Sequence, residues 1–268
     1  MTTPDPFAEA GFLGQDPRTR QAIQAENGDW FRLAKDTNAV LMRITMTAVD
    51  AEAAHGGNWS KEAVALRLLM RSAGSFQGVI LLTEQGMAAQ ARMMVRSIVE
   101  DSFFAAALLE KPSDVVQMLR TDAEASRRSQ AKFILEQQLG DSPAALEKLE
   151  AAIAEMDAKA RFVNYKEMAK LSSMLPQYLN YQRLSDDAVH TTATSLSKHV
   201  AVHSNGSGWS YRLGPAAKDD ITATLHRAVL SVLPLGIVVT QLLSDTANNT
   251  DLAALSERFQ ALPTGSTI

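Results

Sequence analysis

Two short polar runs stand where helix packing alone would choose alanine, leucine or methionine. One is Arg96-Ser97-Ile98-Val99-Glu100; the other is Tyr181-Gln182-Arg183-Leu184-Ser185, followed at short range by His190. Arg96 and Glu100 are four apart, so they share one face of a helix. Their helix is otherwise apolar, and a buried charge is tolerated only when it is paired and hydrogen-bonded. As packing, the pair is an ion pair that fixes helix register. As function, Arg96 binds an anion or Glu100 acts as a base in a pocket. His190 follows Asp186 and Asp187 at helical spacings, so either carboxylate is placed to orient its imidazole. The bland alternative is a histidine at a helix C-terminus, favoured by the dipole. Ser185, five residues before His190, falls to one side.

Six residues separate Arg183 from His190. That spacing matches the outer limit of the arginine–histidine pattern of HEPN ribonucleases, in which the arginine steadies a phosphate and the histidine moves a proton without a metal. The residue after the arginine is Leu184, where that pattern usually carries a polar side chain. Other chemistries have weaker signals. Ser97, Glu100 and His190 are the components of a hydrolase triad, but no Gly-x-Ser-x-Gly elbow is present. His199 and His203 are four apart, as two metal ligands on a helix would be. Their segment reads as extended, so no metal site and no cofactor are expected. No phosphate-binding P-loop occurs. Trp209 and Tyr211 alternate on one strand and are expected to cover the core, with a stacking surface as the alternative.

The elements that must hold these residues are mostly helices. Residues 1–28 read as an extended or loosely packed arm or a frayed first helix, with Phe7, Phe12 and Leu13 pinning part of it. Helices follow over about 30–54, stopped by Gly56-Gly57, and about 60–84, capped by Ser60. A central apolar helix spans about 87–110. A charged one capped by Ser113 runs to about 138. Ser142-Pro143 opens another, and short helices lie near 165–171 and after Pro176. A β-hairpin is expected over 198–213, then a long apolar helix from Pro215 to about 246 and a last one over 251–262. The expectation is an all-α, single multi-helix bundle-like domain (29–262) with one small hairpin and a 263–268 tail.

The 268 residues carry a net charge of -4 and 46% hydrophobic residues. That balance supports a large core and gives no general attraction to DNA or to an anionic membrane. The absence of cysteine excludes disulfides and thiolate chemistry. The start lacks a basic region followed by an apolar run, so a cytoplasmic location is expected. The apolar stretch 228–243 is interrupted by Ser231, Pro234, Thr240 and Gln241 and reads as a core helix.

The order of features resembles the bacterial domain-of-unknown-function family numbered 5677. The features are a small-residue-rich helix, Arg-Ser-Ile-Val-Glu at 96–100, then Tyr181-x-x-Leu184-Ser185 with His190, a hairpin, and Leu213-Gly214-Pro215. The resemblance spans about 66–243. It implies a mainly helical fold and polar positions at Arg96, Glu100, Tyr181, Ser185 and His190, but supplies no activity. Kinship with HEPN-like proteins of toxin or phage-defence systems is an analogy only. Arg96, Ser97, Glu100, Tyr181, Ser185 and His190 are therefore expected to line one polar pocket. Two functions compete: a homodimeric helical interaction or regulatory protein, and a metal-independent ribonuclease acting on RNA through Arg183 and His190.

Overall fold

The computed structural model describes residues 6–52, 57–203 and 205–263. Among them the chain forms α1 (Pro6–Ala10), a 3₁₀ turn (Gly11–Gly14), α2 (Pro17–Glu26), α3 (Gly28–Glu52), α4 (Lys61–Glu84), α5 (Ala88–Glu110), α6 (Pro112–Glu136) and α7 (Pro143–Glu155). Then come α8 (Tyr165–Leu171), α9 (Leu175–Leu184), a π-helical turn (Ser185–Val189), α10 (Ala193–Ser197), β1 (Val200–Val202), β2 (Trp209–Tyr211), α11 (Lys218–Leu242) and α12 (Thr246–Ala261). It is an all-α bundle with one antiparallel hairpin, in which Val200 pairs with Tyr211 and Val202 with Trp209.

Local chemistry sets most boundaries. Ser60 accepts the Ala63 N–H at 3.0 Å and starts α4. Ser142 does the same for α7, with Pro143 at the first helical position. The expected stop at Gly56 lies outside the described residues. Helix α6 begins one residue before Ser113, at Pro112, because proline's fixed φ suits that position.

Helix α5 is the centre. It packs against α4 and α11 along much of its length and carries α8, α9 and the π-turn on its other side. Val95, Ile98, Phe103 and Ala105 are wholly buried. Each large side chain of this kind contributes about 1.5–3 kcal/mol on burial. Helix α11 is long and apolar enough to cross a membrane, yet most of its apolar stretch is covered by protein. It packs against α3, α4, α5 and α12.

Of the segment expected as an arm or a frayed helix, the described residues 6–26 are largely helical, and α2 is docked. Ile23 on α2 is buried, and Arg20 pairs with the buried Glu84 of α4. Asn27 is buried as well and accepts the Thr222 hydroxyl at 2.8 Å.

The α4–α5 turn fixes the start of α11. Gly86 has φ +80°, and the Gly86 and Met87 N–H groups donate back to Thr83 and Leu82 at 2.9 and 2.8 Å. This is a Schellman ending that favours glycine. The Ala216 N–H donates to the Gly86 carbonyl at 2.9 Å, which holds 215–217 off the helix, so α11 starts at Lys218 rather than Pro215. A Cβ on Gly86 would lie 2.5 Å from the Pro215 Cβ. Gly86→Ala is expected to cost about 2 kcal/mol, from the left-handed backbone and this contact, as read by urea unfolding.

Candidate functional site

Arg96 is the hub of the first polar cluster. Its Nε donates to the Ser185 hydroxyl at 2.8 Å and its Nη2 to the Tyr181 hydroxyl at 2.7 Å. Its Nη1 lies 2.9 Å from the Glu100 carboxylate. Ser185 in turn donates to the Tyr181 carbonyl at 2.9 Å. These bonds join α5 to α9 and the π-turn in one hydrogen-bonded clasp, and Tyr165 of α8 packs on Tyr181 at 5.5 Å. Tyr178 stacks on Tyr181 at 5.4 Å and Phe103 lies beneath Tyr181 at 6.3 Å. The Arg96 side chain is 20% exposed and that of Glu100 9%. Arg96, Glu100, Tyr181 and Ser185 thus come together.

His190 does not join them. It is exposed, and its ring has no hydrogen-bond or ion-pair partner among the described residues. Its backbone N–H donates to the Ser185 carbonyl at 3.0 Å, the five-residue closure of a π-turn. The extra residue in that turn breaks the α-helical register on which the His190 spacing was read. Asp187 turns inward, away from any role in orienting His190. Ser97 is half-buried on α5 without a bond to the clasp, so it forms no triad with Glu100 and His190. Arg183 is exposed at the rim of a charged cavity that His190 does not line.

One turn before Arg96 is a second hub that the sequence reading missed. Arg92 is only 4% exposed. Its Nε donates to Thr224 at 3.0 Å, its Nη1 meets Asp187 at 2.7 Å and its Nη2 meets Asp220 at 2.8 Å. Lys198 and Arg227 also approach Asp187, at 3.2 and 3.8 Å. Arg92, Arg96 and Glu100 recur every four residues, so α5 carries a charged stripe through the core. That repeat was a usable signal; the partners were not, because Asp220 is 128 residues from Arg92.

Asp101 extends the charged region toward α4. It is 1% exposed, pairs with Arg71 and accepts the Ser72 hydroxyl at 2.8 Å. Burial pushes its carboxyl up to about 6, against the pull of Arg71 and Ser72. Burial raises Glu100 as well, opposed by Arg96 and Arg71. An acid whose folded pKa exceeds its unfolded one holds its proton longer in the folded state. Its contribution to stability is therefore greatest below the model-peptide value of 3.8 and falls as the pH rises to about 6. Asp101→Asn removes that titration. Wild-type stability minus that of the variant is expected to decline across this window in urea unfolding; a rise would mean that the Arg71 pair outweighs burial.

Two cavities share Arg92, Lys198 and Asp220 as walls. One, of about 480 Å³, is mostly apolar and lies between α1, the N-terminus of α5 and the chain after β2. The other, of about 610 Å³, is lined by charged side chains of the π-turn and α11. Neither is lined by Arg96, Glu100, Tyr181 or Ser185. His199 and His203 flank the three-residue β1, and His203 is held by Ser210 at 3.3 Å rather than facing His199 across a helix turn. Trp209 and Tyr211 meet edge to face at 5.0 Å but are 57% and 73% exposed, so they do not cover the core. The sheet has two strands, and all three residues of β2 are exposed.

No curated protein and no solved structure matches the chain. A family match covers residues 62–207, which run from α4 into the hairpin and include the clasp, Arg92 and Asp187. It stops short of Leu213-Gly214-Pro215 and α11, which the sequence resemblance had included. With more than half of its length matched, the chain belongs to the family of unknown function DUF5677.

Proposed function

We propose that the protein is a helical interaction or regulatory module in which the Arg96 cluster is a structural clasp, not a catalytic centre. The observation that carries this reading is the engagement of Arg96. All three of its guanidinium nitrogens have partners, Ser185, Tyr181 and Glu100, and each partner lies on the chain itself. A guanidinium with a partner on each nitrogen and its side chain only 20% exposed offers little to a phosphate. The ribonuclease alternative needs Arg183 and His190 to act together on one phosphate, and His190 is outside the cavity that Arg183 borders.

An interaction module also needs a surface. Met70 and Leu81 on α4 are 49% and 60% exposed, and their eleven-residue separation puts them on one face. Met93 and Met94 are exposed on the neighbouring α5. In this reading two copies of the chain associate through that face.

The test is incubation of the purified protein with total RNA in EDTA, beside His190→Ala and Arg183→Ala. The expected result is intact RNA in all three. Cleavage by the wild type that both substitutions abolish would establish the ribonuclease instead.

A further inference from the structure

We propose that the apolar cavity beside α1 binds a small, neutral, aromatic molecule. Its volume, about 480 Å³, lies within the roughly 300–1,000 Å³ of small-molecule sites. Small residues hollow it out: Gly86, Ala88, Ala89, Gly214 and Ala216 stand where larger side chains would fill the space. Its floor is preformed, because the Ala216 N–H donates to the Gly86 carbonyl at 2.9 Å and ties the chain after β2 to the start of α5. Its roof is Phe7 and Phe12, whose rings meet edge to face at 5.3 Å. Rings set at that angle offer both a face and an edge to a third ring.

The wall sets the charge of the ligand. Arg92, Lys198 and Asp220 face the cavity, and Asp187 lies on their far side. Arg92 meets Asp187 and Asp220 at 2.7 and 2.8 Å, and Lys198 meets Asp187 at 3.2 Å. These cations and carboxylates neutralise one another, so the wall calls for no counter-ion. Arg212 is the remaining charge, and it is exposed at the mouth, where water screens it. An ionised ligand would give up its hydration here without gaining a partner. Gln90 offers a neutral contact instead. Its half-buried carboxamide makes no hydrogen bond among the described residues, and it can donate to or accept from one polar group on the ligand. The way in is past the roof. Helix α1 and the 3₁₀ turn pack chiefly on each other rather than on the body, and such a segment opens at low cost. A ligand entering there stays on the apolar side of the ion-paired wall.

The probe is N-phenylnaphthylamine, which is neutral and fluoresces in apolar surroundings; its anionic counterpart, anilinonaphthalene sulfonate, is the charged control. Full-length protein is titrated into each dye. The neutral dye is expected to bind one-to-one with a Kd of about 0.1 mM or tighter, and the sulfonate no more tightly. Ala89→Leu, which fills the cavity from α5, should weaken the neutral dye by about tenfold. Ala8→Leu, which fills it from α1, serves the same purpose if Ala89→Leu does not fold. Phe12→Ala, which removes part of the roof, should weaken it by about fivefold. Trp209→Ser, on the exposed hairpin, should leave it unchanged. No binding of the neutral dye, binding kept after the cavity is filled, tighter binding of the sulfonate, or a loss caused by Trp209→Ser would each overturn the proposal.

Discussion

Replacing Arg92 with methionine is expected to destabilise the protein by about 3–5 kcal/mol, the cost of breaking a buried ion pair from one side. The size follows from what remains. Asp187 and Asp220 lose their closest cation, at 2.7 and 2.8 Å, and Thr224 loses its donor. Lys198 and Arg227 stay, but their distances of 3.2 and 3.8 Å to Asp187 cannot replace a fork that reaches both carboxylates at once. Arg92→Lys should recover only part of the loss, because an ammonium is a point charge without the planar geometry that spans three partners. Urea unfolding of the two variants checks both statements. Near-wild-type stability in Arg92→Met would mean that the two carboxylates find water readily and that the network is peripheral.

Arg96→Met carries the second large effect, expected at about 2–4 kcal/mol, smaller than that of Arg92 because its side chain is 20% rather than 5% exposed. Losing the guanidinium leaves the buried Glu100 without its cation and frees the hydroxyls of Tyr181 and Ser185. Glu100 would then keep its proton to a higher pH still, since burial already raises it and Arg96 is the first of the groups opposing that rise. The loss should therefore shrink as the pH falls and Glu100 takes up its proton. The loosened elements are α9 and the π-turn, which the clasp ties to α5, and α8, which packs beside them through Tyr165. Faster amide exchange there, with α4 and α11 unchanged, is the local signature.

Much of this arrangement can be read from residue types at α-helical spacing. Arg96 and Glu100 declare themselves by standing four apart on an apolar helix. Tyr181 and Ser185, also four apart, present one face to them. Ser60 and Ser142-Pro143 mark helix starts because capping is local chemistry. The same logic fails where the backbone leaves the α-helix. The π-turn over Ser185–Val189 inserts a residue, sends Asp187 to Arg92 and leaves His190 outside. It fails again where partners are distant in sequence. A lone Arg92 resembles any surface arginine until Asp220 and Thr224 arrive from α11. Trp209 and Tyr211 alternate as strand residues do, but alternation does not say whether another layer covers them. Likewise α2 is too polar to reveal that Ile23 and Arg20 dock it onto the body.

The most direct test of the clasp is a double-mutant cycle on Arg96→Met and Glu100→Gln, read by urea unfolding, with the two single variants and the pair. A structural clasp predicts a coupling of about 1–3 kcal/mol between the two positions and wild-type secondary structure in all three variants. Coupling near zero would contradict the account, since Arg96 and Glu100 would then contribute independently and their 2.9 Å contact along α5 would not fix the guanidinium that reaches Tyr181 and Ser185.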